Sequence, residues 1–149
     1  MPSERALRLT AAVLAVCGIG VAAYIAIADA SGSAPACLAG GHGCETVATS
    51  RYSHLAGVNV AVIGVGGYIA LLLAAGAPGD LGRFAGLLVA LVGFGFSVYL
   101  TYLELFVIDA ICQWCVASAC VMTLLLVVNA WRMFGYAGRD RLPAIGEPG

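Results

Sequence analysis

The chain reads as an all-α membrane protein, a bundle of four transmembrane helices, and three observations lead there. Of its 149 residues 62% are apolar and only 10% charged, against about 45–50% and about 25% in ordinary soluble domains, so it cannot cover a water-facing surface. Four uncharged stretches, residues 9–28, 55–75, 84–103 and 110–131, each approach the roughly 20 apolar residues that a helix needs to cross a 30 Å bilayer core. They are too long and continuous for the alternating strands of an outer-membrane barrel. Finally, six of the seven basic residues, all arginines, fall on one side of these stretches, as the tendency of cytoplasmic flanks to collect Lys and Arg requires. The net charge of −1 offers no basic field for nucleic acid. The whole chain, 1–149, is read as one integral membrane domain.

Arg5 and Arg8 precede the first span. That start, followed by Ala34-Pro35-Ala36 before Cys37, has the outline of a secretory signal, but its apolar run exceeds the 7–15 residues of a signal core, so the segment is expected to stay as a helix. Residues 29–54 then form a long loop outside the cytoplasm. Within it Cys37 and Cys44 enclose Gly40, Gly41 and Gly43, and residues 45–55 (ETVATSRYSHL) place Val47, Tyr52 and Leu55 on an approximate helical stripe. A short interfacial helix is expected there. Residues 76–83, with Arg83, make a cytoplasmic turn between spans two and three, and 104–109 a tight outer turn. Arg132, Arg139 and Arg141 follow span four, which places both termini in the cytoplasm, and 142–149, rich in Pro and Gly, reads as a disordered tail.

The six cysteines sort by side. Cys17 and Cys120 lie within spans and read as small packed hydrophobes. Cys37, Cys44, Cys112 and Cys115 all fall outside the cytoplasm, where disulfides persist. Cys112-Gln113-Trp114-Cys115 is a CxxC opening a helix: i and i+3 share a face, and the free N–H groups with the helix dipole favour a thiolate. Alone it also suits a structural disulfide or half a zinc site. The CxxxxxxC spacing of the loop pair is unlike a zinc knuckle, so no metal is expected. Two pairs on one face suggest a relay in which the glycine-flanked loop swaps between an outside partner and the membrane pair. The rival readings are a small four-helix transporter, which would need an intramembrane carboxylate that all four spans lack, and a structural subunit with structural disulfides.

The loop pair, the run Cys44-Glu-Thr-Val-Ala-Thr-Ser50-Arg51-Tyr52 with Leu55-Ala-Gly57-Val58, the stretch Ser97-Val98-Tyr99-Leu100, and Cys112-Gln-Trp-Cys115-Val together resemble a vitamin K epoxide reductase homologue of the bacterial, disulfide-forming kind. The resemblance implies a quinone-dependent thiol-disulfide oxidoreductase of the bacterial inner membrane, with a four-helix bundle around a quinone. It implies that Cys115 faces the quinone, Cys112 exchanges with Cys44, Cys37 meets the outside thiol, and Ser50 lies near the site. Menaquinone or ubiquinone would be the acceptor, and a separate DsbA-like thioredoxin-fold protein the partner. Phe94, Tyr99 and Trp114, with Phe96 and Tyr102, are the aromatic candidates for the quinone pocket. The chain departs from the family pattern at Ala119, where animal members carry tyrosine, and at Asn59, where bacterial members often carry proline.

Overall fold

The computed structural model describes residues 2–38 and 40–140, so the tail expected at 142–149 lies outside the described residues, as does Arg141. Four long helices, α1 (Glu4–Ala30), α3 (Val60–Gly76), α4 (Gly79–Leu103) and α5 (Gln113–Asp140), run up, down, up and down, and a short α2 (Gly43–Ala48) sits in the first loop. Each long helix touches two others in a closed ring, α1 against α3 and α5, α4 against α3 and α5. Arg8 ties the ring at one end by donating from Nε to the Ala75 carbonyl (2.8 Å) and from Nη2 to that of Gly76 (2.7 Å), two acceptors that the end of α3 leaves without helical partners.

The packing is that of a bundle whose solvent is apolar. Small residues face inward: Ala11, Ala15, Gly18 and Ala22 of α1, Ala74 and Ala75 of α3, Gly82, Gly86 and Ala90 of α4. Large ones face out, with Leu73, Val92 and Phe134 each about 70% exposed. Small residues let backbones approach closely, which is where helix association in lipid gains its van der Waals contact. A methyl group on Gly18 would run into the Tyr68 ring, and one on Gly93 into Met122. Cys17 and Cys120, expected as buried packing, lie exposed on the outer surface instead.

Among the described residues three helices are long and apolar enough to cross a membrane, and Val60–Gly76 is a shorter apolar helix of 17 residues, about 25 Å at 1.5 Å per residue. It is shorter than the expected span 55–75 because Asn59 caps it, its Oδ1 accepting from the Ala61 N–H at 2.7 Å. Residues before the cap turn back on themselves: His54–Leu55 pairs antiparallel with Val58–Asn59. Ala56 and Gly57 at the turn both have positive φ, the twist that a two-residue hairpin needs. The interfacial helix expected over 45–55 is likewise corrected to Gly43–Ala48, followed by a 3₁₀ turn, Arg51–Ser53. Thr49 and Ser50 end it by turning their hydroxyls back onto the Glu45 and Val47 carbonyls. Beyond α4 the chain widens into a single π turn, Glu104–Ile108, closed by Asp109 in the left-handed conformation. Span four therefore starts at Gln113 rather than at 110.

Arg8, Arg83, Arg132 and Arg139 collect at one end of this bundle and the two cysteine pairs at the other.

Candidate active site

The cysteine end is built from three pieces. Cys37 and Cys44 are joined by a disulfide with Cα atoms 5.9 Å apart, and the Cys44 N–H donates to the Cys37 sulfur at 3.3 Å. Gly40 and Gly41 between them both have positive φ, backbone that a side chain would strain. Gly43 opens α2 against the Ile111 carbonyl, and a Cβ there would overlap that oxygen. The glycine thus lets α2 lie on the approach to α5, with Cys44 and Cys112 in the wall of one cavity. Both are almost fully covered, at 1% and 2% exposed.

Cys112 precedes α5 by one residue, and its carbonyl accepts the first helical bond, from Val116 at 3.1 Å. Its sulfur thus takes the place of a capping oxygen. The thiol is pulled down from its ordinary value to about 7, first by a hydrogen bond from the Cys115 side chain and then by the backbone N–H groups of Cys115 and Trp114, against burial and the negative charge of Glu104. Glu104 reaches in from the π turn: it is buried, and its Oε2 accepts from the Cys112 N–H at 3.1 Å. Its inward aim continues the face of α4 that carries Ser97 and Thr101, four and three residues apart along one side of the helix, and the π turn that follows leads the chain back so that Cys112 meets the carboxylate.

Reactivity of Cys112 should follow this lowered value. Alkylation of the fully reduced protein by iodoacetamide, read on the Cys112 peptide by mass spectrometry, is expected to rise with pH through an inflection near 7, because the thiolate is the nucleophile. Glu104→Gln removes the opposing charge and should move the inflection lower, and Cys115→Ala removes the main stabilising hydrogen bond and should move it up. An inflection near the free-thiol value of about 8.5 in the unaltered protein would contradict the arrangement.

Below these groups lies a cavity of about 320 Å³ enclosed by all four long helices, with Cys44, Cys112 and Cys115 in its wall. Its surface is mainly apolar, from Val47, Val89, Val92, Phe96, Leu100 and Met122 among others, with Ser50, Asn59, Ser97, Thr101, Glu104 and the pair Tyr68 and Ser118 among the polar groups and Asp29, Tyr52 and Ser53 also in its wall. The Tyr68 hydroxyl lies 2.7 Å from the Ser118 Oγ and donates to its carbonyl at 2.9 Å. Size and lining are those of a pocket for a small, flat, apolar ligand with a few polar atoms.

The structure brings together Cys44, Cys112, Cys115 and Ser50 of the residues singled out from sequence, and places Cys37 half-buried just outside the cavity wall. Of the five aromatic candidates Phe96 stands in the cavity wall, whereas Phe94, Tyr99, Tyr102 and Trp114 do not. Phe94 packs against the bundle core on the far side of α4 from Phe96, and Tyr99 turns outward, half exposed. Trp114 stacks on Tyr24 at 4.9 Å and donates from Nε1 to the Ala36 carbonyl at 2.8 Å, while the Ala36 N–H donates to the Tyr24 hydroxyl. Trp114 therefore fastens the loop next to Cys37 and does not line the pocket. Two residues that sequence reasoning passed over belong to the site, Glu104 and Tyr68. The available signals were a carboxylate at the very end of an apolar run shortly before the CxxC, and a tyrosine amid small residues in mid-helix.

Ala119 and Asn59 both line the cavity, so the departures from the family pattern fall on its walls. Comparison with known proteins agrees with the site. No curated protein matches the chain, but the model of the vitamin K epoxide reductase family matches residues 9–130. That stretch takes in both cysteine pairs, the capping helix and the greater part of all four long helices, and the chain belongs to the vitamin K epoxide reductase family.

Proposed function

We propose that the protein is a quinone-dependent disulfide oxidoreductase, a single four-helix membrane unit that reoxidises a DsbA-like thioredoxin-fold protein outside the cytoplasm and so supports disulfide formation. Family membership carries the coarser part, a membrane thiol-disulfide oxidoreductase. The observation that carries the rest is that three cysteines from two separate pairs stand in the wall of one apolar cavity.

The residues present suit a quinone. The cavity is apolar and of ring size, and the Tyr68–Ser118 hydroxyl pair stands in its wall, where with the Tyr68 proton on the Ser118 carbonyl the Ser118 hydroxyl can turn to donate to one carbonyl oxygen. When bound, a quinone such as menaquinone or ubiquinone supplies an acceptor for two electrons and two protons. The chain's own residues do the rest. A partner thiolate attacks Cys37, the accessible end of the loop disulfide, and closes its own disulfide as Cys37 and Cys44 leave as thiols. Cys44, buried in the same cavity wall as Cys112, then attacks the Cys112–Cys115 disulfide. The loop disulfide re-forms, and both electrons and protons now reside on the Cys112 and Cys115 thiols. Cys115 leaves when Cys44 attacks Cys112, and Cys112 leaves in turn when Cys37 closes back onto Cys44, the step that its lowered pKa favours. Reoxidation of that pair to a disulfide releases two electrons and two protons into the cavity, with the Glu104 carboxylate hydrogen-bonded at the Cys112 backbone to receive a proton. The arginine-rich end faces the cytoplasm of a bacterial inner membrane in this reading, and the cysteine end faces out.

The test is anaerobic mixing of the purified protein with a reduced thioredoxin-fold protein and a soluble quinone, following quinone absorbance and partner thiols together. One quinone consumed per partner dithiol is the expected result. Partner oxidation without quinone consumption, or no oxidation at all, would overturn the proposal.

A further inference from the structure

The end of the bundle away from the cysteines holds an arrangement that thiol chemistry does not use. Arg132 lies about 28 Å along α5 from its first residue and is 1% exposed. Its Nη1 donates to the Asn129 Oδ1 at 3.3 Å and its Nη2 to the Glu4 Oε1 at 3.4 Å. Arg83, at the start of α4, stands 3.5 Å from the same Glu4 oxygen. One carboxylate is therefore stretched between two guanidinium groups, close to neither. Asp80 takes one edge of Arg83 at 2.9 Å, and the Tyr136 ring lies 3.8 Å beneath its face, which holds the fork in place. Among the described residues, the buried Nε atoms of both Arg83 and Arg132 lack a hydrogen-bond acceptor. A buried donor without an acceptor is costly, more so when charged.

These two side chains, with Arg139, Glu4 and Tyr136, wall a small cleft of about 30 Å³, and the N-terminal ends of α1 and α4 face the same end of the bundle. The walls carry three guanidinium groups against the Glu4 carboxylate, and with Asp80 on the outer edge of Arg83 one positive charge is left over, to which the helix N-termini add partial positive charge. Such an excess inside an apolar bundle asks for an oxyanion, and planar forks suit phosphate oxygens.

We propose that this cleft binds a phosphate group, from an anionic lipid headgroup or from free phosphate, whose oxygens take the donors that Glu4 serves poorly. The volume has room for about two phosphate oxygens while the rest of the ligand stays at the surface, and basic pockets between helix ends take lipid headgroups in this manner.

Thermal unfolding of the full chain in maltoside micelles, which hold no phosphate, tests it in two arms: sodium phosphate against sodium chloride at matched ionic strength, and micelles doped with phosphatidylglycerol against undoped ones. Binding should raise Tm by about 5 °C. A rise with phosphatidylglycerol alone identifies the headgroup as the source, and a rise in both arms identifies the phosphate group itself. Arg139→Gln, at an exposed position, and Arg132→Lys, which keeps the charge but not the fork, should lose at least half of the rise. No rise in either arm, or an equal rise in all three proteins, overturns the proposal. The readout needs no redox partner, so its failure is separate from failure of the function proposed above.

Discussion

Cys115→Ala is expected to keep the bundle and to lose quinone reduction by about a thousandfold or more, the scale on which removing a reacting nucleophile acts. Two electrons leave the CxxC only when both sulfurs close a disulfide. With Cys115 gone, Cys112 has no intramolecular partner in the first turn of α5. The fold should survive because Cys115 is half-buried on a helix, where alanine is the best helix former. The destabilisation should stay within about 1–2 kcal/mol for the lost sulfur contact. Anaerobic quinone absorbance with dithiothreitol as reductant, alongside a melting curve, measures both. Ordinary quinone turnover by a folded Cys115→Ala protein would remove the assignment of the membrane pair.

Cys37→Ala should split two substrates that the unaltered protein treats alike. Cys37 lies outside the cavity on a loop that Trp114 and Tyr24 fasten at Ala36, whereas Cys44 is buried in the wall. A folded partner can reach only Cys37, so its oxidation should fall to background. A small dithiol can enter the cavity and reduce Cys112 and Cys115 directly, so turnover with dithiothreitol should stay within about threefold. Losing a disulfide over so short a loop also removes about 2–3 kcal/mol of stability in the chain-entropy account, and Tm should drop by several degrees whichever role the pair has. The separation of the two rates is therefore the deciding measurement. If both rates fall together with Tm, the pair is a structural staple and the relay is retired.

Much of this was legible before any coordinates. Uncharged runs of span length named the four helices, because in lipid each backbone group must be satisfied within its own segment. The same rule confines the irregular segments to the ends, where both cysteine pairs sit. Local chemistry also read through: an i, i+3 cysteine pair at a helix start carries its thiolate-stabilising surroundings with it, and glycines at 40 and 41 announce a loop of unusual backbone. The six-residue α2 and the late start of α3 were harder, since the hydroxyls of Thr49 and Ser50 and the Asn59 cap decide boundaries through single hydrogen bonds.

What the amino-acid order determined by itself was the number of apolar helices, the end at which the arginines and the end at which the cysteines lie, and the family. What only the tertiary structure decided was which side chains face the cavity. Helices that are apolar all round carry no amphipathic stripe, so nothing in their periodicity distinguishes a Phe96 that lines the pocket from a Phe94 that packs behind it or a Tyr99 that faces out. The same holds for Glu104, whose partner Cys112 returns to it only after the chain turns at Glu104–Ile108, and for Trp114, whose partners Tyr24 and Ala36 are brought to it only when α1 and α5 pack side by side.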